Sequence, residues 1–200
     1  MAGRPRSAEV DRALREAALA VFVERGFEGL ALDEVARRAG VSRAALYRRW
    51  SSRENLLVDA LAAWRATFDA DPARQSTMTL HEMLDLFAEK VGTAFGDPFT
   101  RRLLLRLLTF GPEAGGVLRQ HLDTTVAARR AAFTVAIETA RREGRVDAAL
   151  DIPIAQDAVA GALTYALLTG AADEAAFDAA AYASALFRIV RLDTRAPGTA

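Results

Sequence analysis

Cysteine is absent from the 200 residues, and lysine occurs once against 25 arginines. Without cysteine there is no disulfide framework, no thiolate metal site and no thiol redox chemistry, which fits a reducing compartment. The longest uncharged run, residues 158–172, includes two glycines and is shorter than the roughly 20 apolar residues that span a bilayer. The first twelve residues lack the apolar segment of a secretory signal. We therefore expect a cytoplasmic protein that does not enter a membrane.

Residues that form catalytic or metal sites are equally scarce. The two histidines, His81 and His121, stand outside any metal-ligand spacing such as H-E-x-x-H. No nucleophile–base set and no glycine-rich phosphate loop is visible. The sequence therefore predicts no catalytic residues, no metal and no cofactor. We interpret both histidines as surface or polar-core residues, and His121 as the better candidate for a ligand contact.

Charge is unevenly distributed, although the 26 basic and 26 acidic residues cancel. Residues 1–53 contain eleven arginines and seven acidic residues, a net charge of +4, and residues 54–200 have a net charge of −4. This asymmetry is typical of a nucleic-acid-binding end joined to a neutral or acidic body. The high arginine and alanine content is also typical of GC-rich coding, so the charge pattern needs support from a motif.

Apolar residues recur at helical spacing along the whole chain, and no strand pattern competes. We therefore predict an all-α fold of nine helices. Their ends follow from stop and cap signals, among them Gly26, the S-x-x-E box at Ser51–Glu54, the T-x-x-E box at Thr79–Glu82, and Asp97-Pro98. With Ser7 as the first cap, the predicted helices span about residues 8–25, 32–39, 43–49, 52–70, 79–95, 98–110, 113–143, 153–170 and 174–192.

Two short helices joined by Gly40-Val41-Ser42 form a helix-turn-helix arrangement. On a helical wheel of residues 43–49, Leu46 lies on the same face as Trp50, and Ala44 and Arg48 point the opposite way. Basic residues are poor core material, so this short helix is either a solvated surface helix or one that binds a polyanion. The turn spacing, the outward alanines and the capped helix that follows favour the polyanion.

The outward face of the second short helix suits the major groove of double-stranded DNA. Arg43, in its first turn, can pair bidentately with a guanine, and small Ala44 and Ala45 let the helix backbone approach the bases. The segment Gly3–Arg6 is either a basic arm that reaches the duplex or a disordered tail. The remaining predicted contacts, which include phosphate-binding side chains that fix position without reading sequence, are Arg4, Ser42, Tyr47, Arg48, Arg49 and Arg53.

The segment ERGFEGLALDEVARRAGVSRAALYRRWSSRENLL resembles the DNA-binding domain of the TetR/AcrR family of bacterial transcriptional regulators, over about residues 8–60. The resemblance implies an all-α homodimer whose protomers have nine helices and a ligand-binding body. It also implies that the fourth helix connects this body to the DNA-binding domain. Most members of the family are repressors that a ligand releases from DNA. Three positions depart from the family pattern. Leu30-Ala31-Leu32 offers no hydroxyl, Ala44-Ala45 replaces a frequent Gly-Thr, and Arg53 replaces a lysine.

We expect a DNA-binding domain at residues 1–54, a helical ligand-binding and dimerisation domain at 55–193 with helix 52–70 as connector, and a loose tail at 194–200. Small uncharged residues in the last two helices favour close packing and a dimer seam. The predicted seam contains Gly161, Ala162, Ala181, Tyr182, Ala185 and Leu186. The predicted ligand contacts, mostly aromatic, are Trp64, Phe68, Phe87, Phe95, Phe110, His121, Phe133 and Tyr165.

The sequence thus predicts a ligand-responsive transcriptional regulator. We expect a homodimeric repressor that binds a palindromic operator through helix 43–49 and is released by a small apolar ligand. Two alternatives from other classes stay open at this point: a helical small-molecule-binding or scaffold protein that does not bind DNA, and a helical enzyme.

Overall fold

The computed structural model describes residues 5–67, 78–109, 116–173 and 177–192. Within these ranges it contains nine α-helices and no strand, which confirms the all-α prediction for the described chain. A short 3-10 turn, Ala171–Asp173, precedes the last helix. The helices are α1 Pro5–Arg25, α2 Leu32–Arg38, α3 Arg43–Tyr47, α4 Arg53–Ala66, α5 Leu80–Gly96, α6 Pro98–Leu108, α7 Gly116–Arg142, α8 Ile152–Leu168 and α9 Ala179–Ile189.

The chain forms two compact units. The first comprises Met1–Asp69 and Arg102–Thr124, and the second comprises Ala70–Arg101 and Thr125–Ala200. The functional boundary at residue 54 stays a prediction. Among the described helices, none combines the length and apolar character that a membrane crossing requires.

In the first unit, α1 packs against α2 and α4, and α2 packs against α3. The core between these helices consists of large apolar side chains, and burying each of them contributes about 1.5–3 kcal/mol. Every one of the four helices supplies a buried side chain, and α3 is held against α2. The largest fully buried side chains of this part of the chain are Leu14, Val21, Phe22, Leu30, Val35, Leu46, Leu56 and Leu57.

In the second unit, α9 packs along α5 and also contacts α8. The contact between α5 and α9 is close, since a Cβ atom built on Gly92 would lie 3.0 Å from the Cβ atom of Ala180. Beside it, the ring of Phe87 on α5 lies 5.8 Å from that of Phe187 on α9. A small residue next to an aromatic pair thus lets the two helices interdigitate.

Several helix ends confirm the capping signals. Gly26 follows α1 with φ +72°, the left-handed conformation that glycine adopts without a Cβ penalty. Thr79 and Glu82 form the reciprocal capping box at the start of α5. Asp97 caps α6 by accepting a hydrogen bond from the Thr100 amide at 2.8 Å, and Pro98 occupies the first helical position.

Three predicted helix starts are wrong. Ser7 is not a cap, because α1 already begins at Pro5, where the fixed φ of proline suits a first turn. The cap of α4 is Ser52 rather than Ser51, since the hydroxyl of Ser52 accepts the amide hydrogen bond of Asn55 at 3.1 Å. The last helix begins at Ala179 instead of residue 174, because Asp178 is extended and caps it.

Candidate nucleic-acid interface

Helix α3 is held in place by one cap and one buried anchor. Its N-cap, Ser42, accepts a hydrogen bond from the Ala45 amide at 3.3 Å, as the sequence predicts. The turn before it reverses at Gly40, which has φ +66°, and the Val41 amide donates to the carbonyl of Ala36 at 2.9 Å. Leu46, with no exposed surface, is the buried side chain of α3. The prediction that Leu46 faces inward is confirmed.

The opposite face of α3 carries the side chains that the sequence assigns to DNA. Arg43, Ala44 and Arg48 are exposed, and the Tyr47 side chain is 53% exposed although it is aromatic. Within the described residues the Arg48 side chain makes no hydrogen bond or ion pair, and its backbone amide donates to the Ala44 carbonyl at 3.2 Å. Tyr47 and Arg48, exposed beside the small side chain of Ala44, form a surface that can enter a groove of DNA without first breaking contacts within the protein.

Arg43 lies across the turn from the first residues of α2. Its guanidinium Nη2 atom forms an ion pair with the carboxylate of Asp33, and the two side chains are 67% and 49% exposed. This pair links the first turn of α2 to the first turn of α3 on the outer surface of the motif. The candidate base-reading arginine therefore already has a carboxylate partner in the protein.

Two arginines that the sequence assigns to phosphates are engaged within the protein. Arg49 forms an ion pair with Asp11 of α1 and donates from Nη1 to the Ala45 carbonyl at 2.9 Å. The Arg53 guanidinium lies 4.3 Å from the ring centroid of Phe27 and donates to Glu28. The geometry thus indicates a structural task for Arg49, and for Arg53 a position at the junction of α4 with the turn after α1.

The end of the α3 segment is tied to α4 through Asp59. The Trp50 indole Nε1 donates to one carboxylate oxygen of Asp59 at 3.0 Å, and Arg15 of α1 donates to the same oxygen at 2.8 Å. Trp50 itself is buried. Asp59 therefore connects α1, the turn after α3 and α4 in one hydrogen-bonded group.

Helices α1 and α2 are joined by a second set of charges. Arg38 donates to Glu24 of α1 at 2.6 and 2.8 Å and to Glu34 at 2.8 Å. Arg37 also binds Glu34, and the two arginines lower the pKa of Glu34 from its ordinary 4.5 to about 2. The same contact with Arg38 lowers the pKa of Glu24. Both carboxylates therefore stay ionised near neutral pH, where they bind these arginines.

Asp33, Asp59 and Arg106 are functional candidates that sequence reasoning missed. Arg106 lies in the part of α6 that belongs to the first unit, and its guanidinium Nη2 donates to the Val23 carbonyl at 3.1 Å. This cation occupies the negative end of the α1 dipole. Acids in a first turn and arginines in a helix are too common to be singled out by pattern alone.

The second unit contains part of the predicted ligand-binding set. Phe87 and Phe133 meet edge to face with ring centroids 5.7 Å apart, and Phe95 stacks on Phe177 at 6.3 Å. Tyr165, another residue of this set, is 68% exposed, and its place in the pocket stays a prediction. Trp64 is half-buried on α4, in the first unit.

Other predicted residues lie beyond what the structure describes. Arg4, Phe68 and Phe110 lie outside the described residues, and His121 falls in α7 at a position whose side chain is not described. Among the described residues there is no group of three or more His, Cys, Asp or Glu side chains that could hold a metal ion.

Residues 14–60 match the family model of bacterial regulatory proteins of the tetR family. The chain is 28% identical over 146 residues to the HTH-type transcriptional regulator AqdR of Rhodococcus erythropolis, which covers 73% of this chain and 68% of that protein. It is also 29% identical over 182 residues to the DNA-binding transcriptional repressor TetR of Mycobacteroides abscessus, which covers 88% of each.

Solved structures share the fold over nearly the whole chain. The SmeT–triclosan complex superposes with a TM-score of 0.77 at 18% identity, covering 95% of this chain and 96% of that one. FadR of Bacillus subtilis in complex with stearoyl-CoA gives a TM-score of 0.71 at 18% identity, covering 90% and 96%. The helix-turn-helix geometry, the family match over residues 14–60 and the similar regulators together support a TetR-family transcriptional regulator.

Proposed function

We propose that this regulator is a homodimeric repressor that binds a palindromic operator through α3 and leaves it when a small apolar ligand binds. The observation that carries the DNA-binding part is the outer face of α3, where Arg43, Ala44, Tyr47 and Arg48 are exposed on a helix fixed by Leu46. A short helix with one buried anchor and four outward side chains has little to contribute to a core. It is well suited to a groove.

Each exposed side chain of α3 has a distinct proposed contact. Arg43 reads a guanine through its O6 and N7 atoms, and Ala44 and Ala45 allow the backbone to approach a thymine methyl. Tyr47 and Arg48 bind phosphates and fix the register. Arg4, Ser42 and Arg53 remain predicted contacts to the backbone of the duplex. Arg49, bound to Asp11 and to the Ala45 carbonyl, acts instead by holding the end of α3 against α1.

The proposed dimer seam lies on α8 and α9. Five exposed residues follow one another along α8 at alternating spacings of four and three, which is the repeat of helices that pack side by side. On α9, Ala181 and Ile189 are exposed, while Tyr182, Ala185 and Leu186 are half-buried within the protomer. The row on α8 consists of Ile154, Ala158, Gly161, Tyr165 and Leu168. It includes Gly161 of the predicted seam, and Ala162, the other predicted seam residue on α8, is half-buried.

The proposed dimer has two copies of α3, and each copy meets one half-site of the operator. Helix-turn-helix dimers read half-sites about 34–36 Å apart, one turn of the duplex, so we propose an operator with this or a slightly larger separation. Loss of the seam would uncouple the two half-sites and remove the gain from simultaneous binding.

The proposed ligand is apolar because of the side chains that the second unit offers. Among the described residues Thr100 is the one polar residue that is buried, and the aromatic candidates Phe87, Phe95 and Phe133 lie in the same unit. SmeT has been solved with triclosan and FadR with stearoyl-CoA, two compounds with large apolar parts. Trp64, Phe68, Phe110 and His121 are the other members of the predicted set.

The DNA-binding proposal is tested by gel shift with the duplex upstream of the protein's own gene, over a series of salt concentrations. We expect binding whose logarithm falls linearly with the logarithm of salt, with a slope of about −0.9 per phosphate contact. The Arg48→Ala variant should bind with a smaller slope. If the folded wild-type protein binds no duplex, the carrier or scaffold alternative replaces the proposal.

The ligand proposal is tested by reciprocity. A small-molecule panel is screened for compounds that release the duplex, and each active compound is then titrated by Trp64 fluorescence in a Trp50→Phe background. A compound that lowers DNA affinity tenfold, about 1.4 kcal/mol, must itself bind tenfold more weakly when operator is present. Equal compound affinity with and without operator contradicts ligand control.

A further inference from the structure

Asp33 occupies an unusual place among the charges of the helix-turn-helix motif. It lies in the first turn of α2 beside Glu34, but the two carboxylates have different partners. Glu34 binds Arg37 and Arg38 within α2, whereas Asp33 reaches across the turn to Arg43 of α3. The ion pair of Asp33 is thus made with the side chain that is proposed to read a base.

We infer that Asp33 is a positioning residue that sets the specificity of DNA recognition by orienting Arg43. This inference rests on the proposed binding of DNA through α3. A guanidinium has five N–H donors in a planar fork, and an ion pair at Nη2 leaves the Nε and Nη1 donors for other acceptors. Those donors can meet the O6 and N7 acceptors of guanine in the plane that the carboxylate has fixed.

The charge of Asp33 has a second effect on selectivity. Its side chain is 49% exposed at the outer surface of the motif, so it faces any duplex that α3 approaches. A carboxylate there repels phosphates and competes with them for Arg43. The pairing therefore lowers the affinity for duplexes that offer Arg43 only a phosphate, and it is compatible with duplexes that offer a guanine edge.

A neighbouring pair provides a matched control. Glu28 and Arg53 also form an exposed carboxylate–arginine pair in the first unit. Arg53 begins α4 and lies outside α3, so the charge of Glu28 influences attraction to phosphates without orienting a base-reading side chain. Removing either carboxylate changes the net charge of the unit by the same amount. A difference between the two variants therefore isolates the effect of orientation.

The experiment selects bound sequences from a random duplex pool with the full-length wild-type protein and with Asp33→Asn, Arg43→Ala, the double variant and Glu28→Gln. We expect the wild type to prefer guanine at one position of each half-site and Arg43→Ala to lose that preference. Asp33→Asn should reduce the same preference by about tenfold, within the range of one bidentate contact, and should bind random duplex more tightly. Glu28→Gln should bind random duplex more tightly and keep the guanine preference.

The double variant and a conservative replacement complete the test. In the Arg43→Ala background, Asp33→Asn should leave the preference at that position unchanged, because there is no guanidinium to orient. Asp33→Glu, which retains a carboxylate, should recover part of the guanine preference. A wild-type preference profile for both Asp33→Asn and Asp33→Glu would overturn the inference and leave DNA binding intact. A wild-type protein that selects no sequence would overturn the proposed function itself.

Discussion

Arg48 and Arg49 are adjacent in the sequence, and their surroundings predict opposite effects when each is replaced by alanine. Arg48 is exposed, and in the described chain its side chain has neither a hydrogen bond nor an ion pair. The Arg49 side chain is 25% exposed and its partner Asp11 is 29% exposed. Arg48→Ala should therefore weaken DNA binding and leave stability unchanged, whereas Arg49→Ala should lower stability.

The magnitudes follow from these contacts. Arg49→Ala removes a charge-assisted hydrogen bond and leaves Asp11 without that partner, which costs about 1–2 kcal/mol after allowance for partial exposure. For a chain of 200 residues this corresponds to a fall in Tm of about 2–8 °C. Arg48→Ala should change stability by less than about 0.5 kcal/mol. It should remove one phosphate contact per protomer, so the salt slope of a dimer falls by about 1.8.

Thermal unfolding followed by circular dichroism measures the first quantity, and fluorescence anisotropy with labelled operator at four salt concentrations measures the second. The assignment of roles is refuted if Arg48→Ala lowers Tm as much as Arg49→Ala does. It is also refuted if Arg49→Ala keeps the wild-type Tm and reduces the salt slope by the amount expected for Arg48→Ala.

Three further predictions concern other parts of the molecule. Ala181→Glu should place an unpaired carboxylate in the proposed seam, so light scattering should report monomers; a variant that stays dimeric would move the seam elsewhere. Because the pKa of Glu34 is lowered in the folded protein, its stabilising effect should be present above about pH 4.5 and be lost as the pH falls toward about 2. The Tm advantage of the wild type over Glu34→Gln should shrink across that interval, and a constant difference would contradict it. Asp59→Ala should leave the Trp50 indole without its acceptor, which costs about 1–3 kcal/mol of stability. In a Trp64→Phe background it should also shift Trp50 emission, and unchanged emission would show that the contact is dispensable.

Much of the backbone could be predicted because the signals are local. The helical period, a left-handed glycine at 26, the hydroxyl caps at Ser42 and Thr79 and the Asp97-Pro98 pair each act within four residues. The inward direction of Leu46 follows from the same short-range geometry. Helix starts were less predictable where two residues offered equivalent caps, as Ser51 and Ser52 do.

The partners of the arginines could not be predicted from the sequence. Each of 25 arginines can pair with any of 26 acidic residues, and the choice depends on how helices pack. Arg49 has the residue type of a phosphate ligand, yet α1 places Asp11 beside it. Asp33 looks like an ordinary acid of a first turn, yet the angle between α2 and α3 brings it to Arg43. The ion-pair partners of charged residues in the first unit therefore depend on how its helices pack.

Because Leu46 anchors α3, selection for stability and selection for operator sequence act on different positions of one short helix. Because Leu46 supports the fold and Ser42 begins the helix, Arg43, Ala44, Tyr47 and Arg48 are free to change with little loss of stability. Gene duplication followed by changes at those four positions would give a folded regulator with a new operator. The same separation offers a route to engineered variants, in which a library at the four exposed positions is screened while the anchor and cap are kept.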